Sequence, residues 1–222
     1  ITENRSKKAV SIAESNDDLY ASIGVHPNDA KDCSEAVLKA IRLLASSPKV
    51  RAWGEIGLDF NRMYSPKPDQ ERWLIRQLEI ADDLNLPVIF HERDSSGRFL
   101  DILTTHGKKD RKGVVHCFSG TKNELMKYLD LGLHIGITGI VTLNERGESL
   151  RKLLSHIPLE RILIETDAPY LAPTPERNRF RRNEPAFVKT VLLKTAEVRG
   201  EDPEILAATI WENTCQLFHI AS

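Results

Sequence analysis

Polar residues that can do chemistry recur at the ends of short apolar runs. They are His26, Glu55 with Asp59, His91 with Arg93, His116, and Asp167. A single histidine in such a place is usually a packing or capping residue. Their recurrence at nearly every strand end is harder to explain by packing, because a buried carboxylate or imidazole is costly unless paired or bound to metal. His91, His116, Glu55 and Asp167 together make a mixed nitrogen and oxygen donor set. That set suits zinc, manganese or iron, whereas magnesium prefers oxygen. One or two divalent ions (Mg, Mn or Zn) are therefore expected as cofactors.

The elements that would position these residues alternate. β-rich apolar runs cover Tyr20 to Val25, Val50 to Leu58, Pro87 to His91, Gly113 to Cys117, Leu133 to Thr138 and Ile162 to Thr166. Helical periodicity marks Ser34 to Ala45, Asp69 to Asn85, and Glu124 to Leu131 behind a Thr121/Glu124 capping box, which Gly132 stops. Asp202-Pro203 reads as an N-cap and first turn of a helix to about Phe218. Alternating strands and helices imply a parallel sheet, either open or closed as a TIM-type (β/α)8 barrel. No GxGxxG loop supports the open form, and polar residues at the strand ends fit a barrel mouth. Strand parity puts Trp53 with Glu55 on one face and Glu165 with Asp167 on another, and turns Cys117 away from His116. Glu165 is then either a supporting carboxylate or simply ion-paired. His106, His134, His156 and His219 read as surface or packing residues, and Gly107 as a helix stop before the turn at Lys108-Lys109.

The 222 residues suit a single domain, 1–222, with a sizeable core. A formal net charge of −1 excludes a protein that coats duplex DNA through general basicity. With 28% charged and 41% hydrophobic residues, the chain is globular and not disordered. No apolar run is long enough to span a bilayer, and three scattered cysteines suit a reducing, cytoplasmic setting. A monomer is expected. The sequence opens at Ile1 without Met or signal peptide. The strand tally falls short of eight, so about one βα unit is expected to be missing upstream, with Ile1-Thr2 as the tail of a strand.

Six ordered motifs carry a resemblance. They are Gly24-Val25-His26-Pro27, Gly54-Glu55-Ile56-Gly57-Leu58-Asp59-Phe60, His91-Glu92-Arg93-Asp94, His116-Cys117-Phe118-Ser119-Gly120, Glu165-Thr166-Asp167-Ala168-Pro169-Tyr170-Leu171 and Arg182-Asn183-Glu184-Pro185. Together they resemble the TatD family of metal-dependent deoxyribonucleases, which are amidohydrolase-like TIM barrels, and the likeness covers nearly the whole chain. It implies that Glu55 is a metal ligand, bridging where two ions are present, and that His91 and His116 bind the second ion. Asp167 would bind the first ion or hold the attacking water, and His26 would touch a phosphate or leaving group. The implied catalytic set is thus Asp167, Glu55 and His26. The His-x-His pair that many family members carry on their first strand has no counterpart here. The likeness also implies trimming of single-stranded DNA from a 3′ end.

The stretch from Glu176 to Arg182 carries four arginines against one glutamate and follows the last strand. Arg179, Arg181 and Arg182, with Arg93 beyond His91, are candidate phosphate contacts, because guanidinium forks match phosphate oxygens. Phe180 among them can stack on a base. The bland alternative is a solvated charge run. Two other functions fit less well. One is an amidohydrolase for small amides or esters, which needs no phosphate clamp. The other is a barrel fragment that binds nucleic acid without cutting it.

Overall fold

The computed structural model describes residues 2–108 and 110–220. The fold divides into two compact units, Ile1–Val114 and Val115–Ser222.

The first unit is built from α1 (Glu3–Glu14), β1 (Ala21–Ile23), α2 (Glu35–Leu44), β2 (Val50–Asp59), α3 (Lys67–Leu84), β3 (Val88–Arg93), α4 (Arg98–Thr105) and most of β4 (Gly113–Val115). β2 pairs in parallel with both β1 and β3. The side chains of Ile23, Trp53, Ile56, Leu58 and Phe90 are fully buried, as are Leu38 and Ile41 of α2 and Leu74 and Leu78 of α3. Phe99 of α4 meets Phe90 edge to face, with ring centroids 5.4 Å apart.

Two buried glutamines on α3, two helical turns apart, hold the strand ends that carry the chemistry. Gln77 Oε1 accepts the backbone N–H of Val25 at 2.7 Å and the indole N–H of Trp53 at 3.2 Å, while its Nε2 donates to Val25 O. Gln70 Oε1 accepts the N–H of Asp59, and its Nε2 donates to the carbonyls of Asp59 and Ser65. These bonds satisfy backbone groups where the strands leave the ladder. They also fix the chain just before His26 and at Asp59. Gly57 has a positive φ, and β3 runs so close that any Cβ there would collide with the backbone of His91. Only glycine allows that approach.

The second unit contains α5 (Lys122–Asp130), β5 (His134–Ile137), α6 (Glu148–Leu153), β6 (Ile162–Ile164), α7 (Val188–Arg199) and α8 (Pro203–Phe218). β5 and β6 pair in parallel. The Thr121/Glu124 capping box forms as expected, and Gly132 ends the segment at φ +75°. Asp202 caps α8, with Pro203 at its first position. Asn213 of α8 is buried and donates to the carbonyls of Leu159 and Ile162, tying the helix to the start of β6.

Several expectations need correction. Thr2 is the N-cap of α1 and not a strand tail, and Ile1 lies outside the described residues. β4 ends at Val115 and β6 at Ile164, so His116, Cys117, Glu165 and Asp167 sit on loops where strand parity does not apply. Trp53 and Glu55 do not share a face either. The pairing of β2 with β3 shifts register between Gly54 and Ile56; Trp53 turns to Gln77 while Glu55 turns to the histidines. Of the histidines read as bystanders, His106, His156 and His219 are exposed and His134 is buried. The turn at Lys108-Lys109 lies partly outside the described residues.

Candidate functional site

In the first unit His26, Glu55, Asp59 and His91 come together. His26 follows β1, Glu55 and Asp59 lie on β2, and His91 lies on β3. One ligand atom each from His26, Glu55 and His91 falls within 4.8 Å of the other two. Oxygen and imidazole donors this close suit a divalent cation, whose bonds to such atoms run to about 2.0–2.2 Å. Glu55 and His91 therefore fit a metal.

The hydrogen bonds assign each ring a role. His26 Nδ1 accepts the backbone N–H of Asn28 at 3.0 Å, which also makes His26 the N-cap of a short 3₁₀ turn, Pro27–Asp32. The neutral ring then carries its proton on Nε2, 3.2 Å from His91 Nδ1. That tautomer gives His26 a hydrogen to donate and no lone pair to offer a metal. His91 Nε2 faces Asp59 Oδ2 at 3.3 Å, and its Nδ1 faces Glu55 Oε1 at 3.7 Å.

Charge in this cluster is uneven. Burial, and then the neighbouring charge of His91, push His26 down to about 4, so it is neutral at physiological pH. Burial opposes a charge on His91 too, but its bonds to Asp59 and Glu55 outweigh that and raise its pKa. Asp59 is fully buried, which favours its neutral form. Hydrogen bonds from His91 and from the N–H groups of Arg62 and Asn61 overcome this and hold its carboxyl at about 2.

In the second unit His116 Nδ1 bonds Glu165 Oε2 very closely, and Glu165 Oε1 accepts the N–H of Cys117 at 2.6 Å. His116 Nε2 stands 3.7 Å from Asp167 Oδ1. Glu165 is thus paired with His116. Gly136 leaves it room, since a Cβ there would overlap Glu165 Oε1. Cys117 supplies its backbone N–H to this carboxylate and sets its Sγ 3.6 Å from Thr138 Oγ1.

Asn183 lies in a motif but no sequence argument singled it out. It is buried, and its Nδ2 donates to the carbonyls of Thr166 and Tyr170, at 2.7 and 2.6 Å. It clamps the loop on which Asp167 stands in the left-handed region, at φ 56°. The arginines beside it differ: Arg179, Arg181 and Arg182 are exposed, and Arg93 at the end of β3 is half-buried. Phe180 is half-exposed and packs against Phe187, with ring centroids 5.6 Å apart.

Comparison with known proteins shows the family. The family described as TatD related DNase matches residues 1–219. The "3'-5' ssDNA/RNA exonuclease TatD" of Citrobacter koseri is 46% identical over 221 residues, covering 98% of this chain and 85% of the relative. The protein of that name from Escherichia coli K12 is 46% identical over 219 residues, covering 97% and 84%. Among solved structures, the TatD homolog YJJV of Escherichia coli K12 superposes with a TM-score of 0.90 at 30% identity, covering 99% of this chain and 84% of that one. The fold class is therefore α/β and TIM-type, and the chain belongs to the TatD-related DNase family.

Proposed function

We propose that this chain hydrolyses phosphodiester bonds in single-stranded nucleic acid, removing nucleotides from the 3′ end with the help of divalent metal. The names of the relatives support the polarity and the strand state. The observation that carries the reading is the meeting of His26, Glu55 and His91 within one cluster of a chain from this family. One family match runs through both units, which supports a single hydrolase domain. Among the described residues no helix is long and apolar enough to cross a membrane. Three scattered cysteines support a reducing, cytoplasmic setting, and the protein is proposed to act as a monomer.

Each proposed role follows from the chemistry of a residue. Glu55 and His91 would hold a metal ion through a carboxylate oxygen and an imidazole nitrogen, and His116 and Asp167 are proposed to offer a metal-binding imidazole and carboxylate of their own. A bound divalent cation supplies Lewis-acid polarisation and acidifies a water. Asp167 would orient the attacking water and accept its proton. His26 donates its Nε2–H to a phosphoryl or leaving oxygen. Arg93, Arg179, Arg181 and Arg182 hold phosphate oxygens, and Phe180 offers a face for a base.

The test is digestion of a 3′-labelled single-stranded oligonucleotide with Mg²⁺, Mn²⁺, Zn²⁺ or chelator. The expected result is release of mononucleotides from the 3′ end, stopped by chelator. Glu55→Ala should cut at least about 100-fold more slowly, since removing even a residue that supports a ligand costs 10–100-fold. A variant as fast as the parent, or faster turnover of a cyclic amide than of the oligonucleotide, overturns the reading.

A further inference from the structure

We propose that Asp59 is a positioning residue that makes Nδ1, and not Nε2, the metal-binding nitrogen of His91. The inference rests on the metal-dependent reading above. Asp59 ends β2 with no exposed surface. Its Oδ1 is taken up by the backbone N–H groups of Asn61, at 3.1 Å, and Arg62, at 2.8 Å. Its own N–H and C=O are bonded to Gln70, so the residue cannot swing away without breaking both. That leaves Oδ2, which faces His91 Nε2.

An ionised carboxylate only accepts, so the hydrogen of this bond belongs to His91. A neutral ring protonated on Nε2 bares its lone pair on Nδ1, the nitrogen that faces Glu55. The other side of the ring agrees. Asn28 N–H donates to His26 Nδ1, His26 Nε2–H donates to His91 Nδ1, and His91 Nε2–H donates to Asp59. The three bonds run in one direction and end on the carboxylate. With the last one reversed, the proton on His91 Nδ1 would confront the proton on His26 Nε2. Metal at His91 Nδ1 takes the place of the His26 hydrogen and frees that hydrogen for a substrate oxygen.

Asp59→Asn separates this role from a structural one. Its Oδ1 can still accept from Asn61 and Arg62, but its amide then turns a donor toward His91 and forces the opposite tautomer. Ring ¹⁵N NMR on the metal-free protein, at a pH high enough that the His91 ring is neutral, should show it protonated on Nε2 in the parent and on Nδ1 in the variant. Titration calorimetry should show Mn²⁺ affinity falling by about 10–100-fold, the range for residues that orient a ligand. A merely structural role lowers the melting temperature without exchanging the tautomer. A parent protonated on Nδ1, or a variant that binds Mn²⁺ as tightly as the parent, overturns the inference and leaves the functional reading standing. A parent that binds no Mn²⁺ overturns both. If the variant melts too low to study, the parent's ring spectrum alone decides.

Discussion

His26 Nδ1 accepts the N–H of Asn28, and this one bond gives the ring two jobs. It caps the turn that follows β1, and it fixes the hydrogen on Nε2. His26→Ala should therefore lower kcat/KM on a single-stranded oligonucleotide by about 10–100-fold, the worth of a hydrogen bond to a charged group at roughly 1.5–3 kcal/mol. Mn²⁺ affinity should stay close to that of the parent, because this tautomer has no lone pair for the ion. Calorimetry beside a single-turnover digest checks both halves. Loss of Mn²⁺ binding would make His26 a ligand.

The same ring gives the metal-free protein a pH signature. His26 titrates near 4 when folded against 6.5 ordinarily, so between those values the unfolded chain binds the extra proton. Stability must then rise with pH across the window from 4 to 6.5 and be lowest below it. The full effect is about 3 kcal/mol, taken from the shift. His91, with its raised pKa, acts in the opposite sense, giving stability at low pH that is lost as pH rises through its folded value. The two are separated by comparing the parent with His26→Gln in urea melts at pH 7 and pH 4. The parent should lose more stability on acidification than the variant.

Asn183 ties the loop that carries Asp167. Asn183→Ala leaves the carbonyls of Thr166 and Tyr170 without their side-chain donor. A fully buried carbonyl left without its donor costs about 1–3 kcal/mol, and these part-buried ones cost less. The expected outcome is a lower melting temperature together with a fall in kcat that exceeds any rise in KM, since Asp167 moves while the arginines stay. Unchanged kcat in a folded variant would show that the loop holds Asp167 without the clamp.

What the sequence made legible follows from how local each signal is. The caps at Thr121 and Asp202 form as expected because each needs only a side chain and a backbone N–H a few residues on. The strand-end histidines and carboxylates were legible because residue type and position coincide in the motifs. Helix α7 was not, since its apolar residues form no clean stripe: Val191 and Ala196 are buried while Leu193 is half-exposed. The face of Glu55 was misjudged because parity assumes an unbroken strand, and a register shift between Gly54 and Ile56 breaks it in β2. The roles of Asp59 and Asn183 depend on partners brought near by folding, and nothing in their local sequence names those partners.

The arginine segment poses the remaining choice between a phosphate clamp and a solvated charge run, and salt dependence separates the two. Arg179, Arg181 and Arg182 are exposed on the segment that leads into Asn183. Each true phosphate contact releases counterion, so replacing it with Ala should flatten the plot of log KM against log salt by about 0.7 on single strands. A solvated arginine changes neither KM nor the slope. Replacing a contacting residue by Lys should keep the slope, because the charge remains, and still raise KM, because the two-pronged geometry is lost. Steady-state digests of one oligonucleotide at several salt concentrations give both quantities for each variant. An unchanged slope in all three Ala variants would leave Arg93 as the phosphate contact still to be tested.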